Sequence, residues 1–204
     1  MARKRSPRFK ESRRLGLNVS GHPKAMDRAT KGTSRADKKL SEYGVRLLEK
    51  QRLRAYYGVL ERQFRKYVEE AFKVKDGTTG EALLIRLESR LDNLVYRMGF
   101  ATSIRAARQM VNHGHILVNG NKIGIPSYKV EPGSEISLKE ASRKSVNYTE
   151  NISNHTNVLP YIQSNLEEFK AVYVRYPLRE ELPIQINENL IVEFYSRSVS
   201  YTHL

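Results

Sequence analysis

The chain has 204 residues with 36 Lys and Arg against 22 Asp and Glu, a formal net charge of +14 before histidine is counted. With 39% hydrophobic residues it can bury one large or two small cores, which excludes a wholly disordered chain, while 28% charged residues keep much of it in water. The absence of cysteine excludes disulfides, thiolate metal centres and a thiol nucleophile, and suits a reducing compartment.

The charge is unevenly spread. Residues 1–40 carry a balance of +10, 41–75 of +4, 76–144 of +3 and 145–204 of −3. Such an N-terminal excess would be disfavoured by self-repulsion alone, so it points to a polyanionic partner. No apolar run approaches the ~20 residues that span a bilayer. The opening MARKRSPRFK carries charge where a signal sequence carries an apolar core, so neither secretion nor membrane association is expected.

Residues 1–37 show no sustained period and contain Pro7, Gly16, Gly21, Pro23 and Gly32 among basic residues, the composition of an extended arm that orders on its partner. From Lys38 the period becomes helical. Leu40, Tyr43 and Leu47, then Leu60, Phe64, Tyr67, Val68 and Ala71, predict two helices around a break at Gly58. Leu84, Leu87, Leu91, Leu94, Val95 and Met98 predict one further helix ending at Gly99.

Thr102 is placed to cap a short helix over 103–113, with Ala106, Ala107, Met110 and Val111 on one side and Arg105, Arg108, Gln109 and Asn112 on the other. Ile116 and Val118 then alternate into Asn119-Gly120, the preferred dipeptide of a two-residue hairpin turn, with Lys122 beyond it. Strands are predicted around Tyr128–Val130 and Glu135–Leu138, a helix over 159–168, and strands over 171–174 and 190–195. The resulting class is α+β: a helical domain plus a small module of helices with a short antiparallel sheet, preceded by the arm.

The helix and hairpin from Arg105 to Lys122 would gather guanidiniums, amides, His113, His115 and Asn119 on one surface, a donor set suited to the phosphates and 2′-hydroxyls of structured RNA. His113 and His115 alone are too few ligands for a zinc site. Arg90-Leu91-Asp92 is similar to the string around the catalytic aspartate of pseudouridine synthases, but the similarity ends after three residues, and on a periodic helix both charged residues read as polar-face positions. Neither a phosphate-cradling glycine loop nor a nucleophile elbow is present. Tyr57, beside the Gly58 break, reads as the aromatic most exposed for stacking on bases.

Several strings together carry a family resemblance: Lys39-Leu-Ser-Glu-Tyr-Gly, Tyr57-Gly-Val-Leu-Glu-Arg-Gln-Phe, Ser89-Arg-Leu-Asp-Asn, Arg108-Gln-Met-Val-Asn-His-Gly-His-Ile-Leu-Val-Asn-Gly, Ile125-Pro-Ser-Tyr and Glu193-Phe-Tyr-Ser-Arg. Over nearly its whole length the chain resembles ribosomal protein four of the small subunit, in its bacterial and organellar form. The resemblance implies a non-enzymatic primary binder of small-subunit ribosomal RNA, without cofactor, metal or small-molecule substrate. It further implies a protein that nucleates assembly of the subunit body and touches ribosomal protein five, and so bears on translational accuracy, among other small-subunit neighbours. Its place would be the cytoplasm, or the matrix or stroma of an organelle. An RNA-modifying enzyme that uses the same module for targeting is the alternative. The chain departs from the common family pattern at two places in the arm: it lacks the cysteines of zinc-bearing members, and Asp27–Asp37 stands where a Pro-Gly-Gln-His-Gly loop is frequent.

On this reading the domains are the arm 1–42, a helical domain 43–89 joined by the segment 178–204, an RNA-binding module 90–153 and a C-terminal extension 154–204. The residues expected at RNA are Arg3, Lys4, Arg5, Arg13, Arg14, Lys38 and Lys39 in the arm, and Arg46, Lys50, Arg54, Tyr57 and Arg62 in the helical domain. In the module they are Arg105, Arg108, Gln109, Asn112, His113, His115, Asn119 and Lys122.

Overall fold

A computed structural model describes residues 7–200 except 31, 33, 146, 147, 149, 152–158 and 166. The chain is mixed α+β and forms two compact units, residues 1–83 with 184–204, and residues 84–183.

In the first unit, helix α1 (Arg8–Leu15) stands inside the stretch expected to be an extended arm. That expectation is corrected from residue 8 onward. Leu15 and Val19 are buried in a cluster with Leu48 and Ala55, against which Leu17, Ala36, Leu40 and Tyr56 also pack. Few apolar residues suffice here because they are seated on a neighbouring helix rather than on their own turn, which a search for periodicity does not detect. Further along, Ser34 and Asp37 cap a single turn reciprocally, and Asp37 Oδ2 also accepts from Gly32 N at 3.0 Å.

Helix α2 (Glu42–Tyr56) begins at Ser41, whose Oγ accepts from Gly44 N, and gives way at Gly58, where φ is +60°. Helix α3 (Glu61–Ala71) buries Phe64, Tyr67, Val68 and Ala71, one stripe at three- and four-residue spacing. Tyr43, expected on the apolar stripe, is 62% exposed, with its ring 5.5 Å from that of Phe194.

The strand expected over 190–195 is a helix, which with its flanks spans Glu188–Ser200. The run is rich in β-branched and aromatic residues, yet Ile191 and Tyr195 are buried while Glu193 between them is exposed, a pattern that a helix gives and a strand, which would put all three on one face, does not. The helix lies along α2: Arg46 Nε reaches Glu193 at 2.8 Å, and the Lys50 ammonium sits 4.5 Å from the Phe194 ring centre. In chain order this helix is α7, after the three described next.

Helix α4 (Thr79–Glu88) leads into the second unit, followed by α5 (Leu91–Arg97) and α6 (Ile104–Asn112). The stripe from Leu84 to Met98 is buried throughout, but it is not one helix. At Arg90 the backbone is extended (ψ 138°), because Ser89 O accepts from Val130 N and Leu91 N donates to Tyr128 O, each at 2.9 Å. Bonds to the 126–130 loop thus replace one helical turn without moving the apolar residues off the core.

The sheet has five antiparallel strands in the order β2-β1-β3-β5-β4: β1 (Ile116–Val118), β2 (Asn121–Lys122), β3 (Ser134–Leu138), β4 (Ile162–Asn165) and β5 (Lys170–Tyr173). Tyr128–Val130 forms only a single bridge, Lys129 to Arg90. The helix expected over 159–168 is instead β4. As an edge strand whose last three residues are exposed, β4 carries almost no alternation, so its spacing of apolar residues imitated a helix. The β4–β5 connection ends at Phe169, which takes φ +57°.

Candidate nucleic-acid interface

Helix α6 starts at Ser103, not Thr102: Ser103 Oγ accepts from Ala106 N at 3.2 Å. Ala107, Met110 and Val111 are buried, which turns Arg105, Gln109 and Asn112 to solvent. At its end His113 N bonds Gln109 O, His115 N bonds Met110 O, and Gly114 takes φ +72°. Gly114 does more than turn the chain. A Cβ there would overlap the Lys122 side chain, so the missing side chain lets the lysine stem cross the turn from the neighbouring hairpin.

The hairpin turn places Asn119 at φ +49° and Gly120 at φ +77°, the left-handed pair of a type I′ turn. Asn119 Oδ1 accepts from Glu135 N at 2.8 Å, so this amide secures the turn to β3 while remaining at the surface. His115 is half-buried and its Nδ1 lies 2.8 Å from Ser142 Oγ. Loss of solvent lowers its pKa below the usual histidine value, and the charges of His113, Lys139 and Lys122 lower it further. His113 and Lys122 are exposed, and the His113 and His115 rings lie 6.0 Å apart. Exposed Lys139, whose N–H donates to His115 O at 2.8 Å, is a cation of this surface that the sequence reading left out. Its signal was available: it directly follows the β3 strand that pairs with β1.

Two residues of the module are not the free polar positions expected. Asp92 is fully buried and Arg90 nearly so, joined by Nε–Oδ1 and Nη2–Oδ2 bonds of 3.0 and 2.7 Å. Arg108 binds the same carboxylate through Nε and Nη2 at 2.9 and 2.7 Å, and its side chain is only 28% exposed. A buried, doubly held carboxylate of this kind has no access to a substrate, which disposes of the synthase comparison. Nearby, Glu88 accepts from Asn93, Arg97 and Tyr161 in the core, and loss of solvent raises the Tyr161 pKa.

In the first unit the expected set divides. Arg3, Lys4 and Arg5 lie outside the described residues. Arg14, Lys38, Lys39 and Arg62 are exposed and Arg13 is half-buried. Of the remainder, Tyr57 is 1% exposed, buried Lys50 binds Glu61 at 2.5 Å, half-buried Arg54 binds Glu61 and Gln51, and half-buried Arg46 binds Glu42 and Glu193. Arg46, Lys50 and Arg54 thereby link α2 to α3 and α7, and Tyr57, expected to be exposed, is packed in the core. Basic residues on a helix beside an acidic one resemble an RNA-facing surface in sequence, and only the packing shows that their partners are carboxylates.

Among the described residues no group of three or more His, Cys, Asp or Glu could hold a metal ion, and no helix is long and apolar enough to cross a membrane. Family models match most of the chain, the ribosomal protein S4/S9 N-terminal domain over residues 3–88 and the S4 domain over 89–136. A small ribosomal subunit protein uS4 from Finegoldia magna is 59% identical over 199 residues, covering 97% of this chain and all of the relative. The chain belongs to the uS4 family. The uS4B protein of Clostridium acetobutylicum is 51% identical and the uS4 protein of a Geobacillus species 52%, each over 97% of this chain and the whole of the relative. The S4 domain match, 89–136, takes in α5, α6, the hairpin and the Asp92 cluster, and the N-terminal domain match takes in α1, α2 and α3.

Proposed function

We infer that this uS4-family chain is a non-enzymatic structural constituent of the small ribosomal subunit and holds ribosomal RNA chiefly through phosphate and shape. The observation that carries the reading is the cationic surface of the S4 domain, where exposed Arg105, His113, Lys122 and Lys139 are set on rigid elements beside exposed Gln109, Asn112 and Asn119. Exposed Arg14, Lys38, Lys39 and Arg62 of the first unit supply further phosphate contacts, as do Arg3, Lys4 and Arg5. The protein docks early on the RNA, nucleates the subunit body and meets ribosomal protein five and other small-subunit proteins, and so influences accuracy. Purified protein is expected to bind small-subunit ribosomal RNA at least tenfold, or ~1.4 kcal/mol, more tightly than an unrelated RNA of equal length at physiological salt. Competition filter binding decides this: equal affinities would leave only sequence-blind charge attraction.

A further inference from the structure

The buried carboxylate of Asp92 has no role in the reading above, although it is the centre of an unusual grouping. It sits in the first turn of α5, whose N–H groups at Leu91 and Asp92 donate to Tyr128 O and Pro126 O at 2.9 and 3.0 Å, so the backbone beneath it is tied to the neighbouring loop. Arg90 grips it from one side and Arg108 from the other, and the side-chain exposures rise from 1% at Asp92 and 3% at Arg90 to 28% at Arg108. One carboxylate thus stands between two guanidiniums that cannot lose their protons. Arg108 is the member that solvent reaches. Arg108 lies on α6 between Arg105, three residues before it, and Asn112, four after, both exposed.

We propose that Asp92 is a positioning residue for RNA binding: with Arg90 it locks the Arg108 guanidinium in place at the edge of the α6 outer face, ready for a phosphate of ribosomal RNA. An arginine on a bare helix must surrender its side-chain freedom when it binds, whereas Arg108 has surrendered it on folding. The Nε/Nη2 fork stays on Asp92, so the orientation of the guanidinium is set before RNA arrives. The proposal rests on the RNA-binding reading given above.

The test is a double-mutant cycle on the full chain with small-subunit ribosomal RNA as the probe, using Asp92→Asn, Arg108→Ala and the double variant. Each single change is expected to weaken binding about tenfold and to lower the slope of log K against log salt by roughly 0.7 to 0.9, the share of one phosphate. The double variant is then expected to bind no worse than either single one. Losses that multiply in the double variant would overturn the proposal, since a purely structural Asp92 acts independently of Arg108. Arg108→Lys supplies a check that leaves Asp92 untouched: it keeps the charge but not the fork, and is expected to bind as weakly as Arg108→Ala. Binding equal to the unaltered protein would overturn the positioning role. If the unaltered protein itself shows no preference for ribosomal RNA, the failure belongs to the functional reading instead.

Discussion

Glu61 shows how a single carboxylate can organise a unit. It accepts from Lys50 at 2.5 Å, from Arg54 at 2.9 Å and from the Tyr195 hydroxyl at 2.9 Å, thereby joining α2, α3 and α7. Loss of solvent pushes its pKa up, but the hydrogen bonds from Lys50 and Tyr195 and the charges of Lys50 and Arg54 outweigh this and hold it below the usual carboxylate value. A group depressed on folding stabilises fully above its unfolded pKa, and the contribution is lost as pH falls through the folded one. Because the carboxylate is 44% exposed, screening keeps its worth modest. Glu61→Gln is expected to cost about 1 kcal/mol at neutral pH, with the gap to the unaltered protein closing as the solution is acidified below the carboxylate range. Urea unfolding midpoints at several pH values measure this, and a gap that persisted in acid would assign the cost to packing.

At the same scale, Gly114 and Gly120 make a controlled pair. Both have positive φ, +72° and +77°, but only at Gly114 would a Cβ meet the Lys122 side chain, whereas Gly120 has nothing within 4 Å. Gly120→Ala is expected to cost about 1 kcal/mol through backbone strain and leave RNA affinity unchanged. Gly114→Ala is expected to lose at least as much stability and also to weaken RNA binding, because Lys122 is displaced. Thermal melts paired with filter binding separate the two effects.

Among the elements, α1 most changes the picture drawn from sequence. A +10 stretch without periodicity reads as an arm, and its removal would then spare the rest of the fold. Instead Leu15 and Val19 complete an apolar cluster on α2. Leu15→Ala is expected to destabilise the protein by about 2 to 3 kcal/mol, since a buried leucine is lost from a site that cannot fully collapse. A chemical denaturation curve indistinguishable from that of the unaltered protein would return α1 to the status of an arm. The α6–hairpin element was legible almost residue by residue, because its amphipathic period and the Asn119-Gly120 turn are local signals. The β4 edge strand and α7 were not, since each takes its conformation from the neighbour it pairs with or packs on.

For the whole molecule the governing quantity is how its charge is divided between internal pairs and the surface. Removing residues 1–6 deletes Arg3, Lys4 and Arg5 but leaves Leu15 and Val19 in place. The truncated protein is expected to unfold at the same denaturant concentration, yet to bind ribosomal RNA with a smaller salt slope, by roughly 0.7 to 0.9 for each phosphate those residues neutralise. An unchanged slope would show that this basic end does not touch phosphate.

Composition, charge asymmetry and the motif strings were enough to determine an α+β chain of the uS4 type with a helix-and-hairpin RNA module, because periodicity, turn chemistry and net charge are properties of adjacent residues. What a charged or aromatic side chain faces is not such a property. Tertiary packing alone decided that Arg46, Lys50 and Arg54 spend their charge on Glu61 and Glu193, that Tyr57 is core, and that Asp92 lies beneath Arg108. The partners that settle these roles are as far as 147 residues away along the chain, as for Arg46 and Glu193. Charges seek the nearest opposite charge in space, and only the fold determines which one that is.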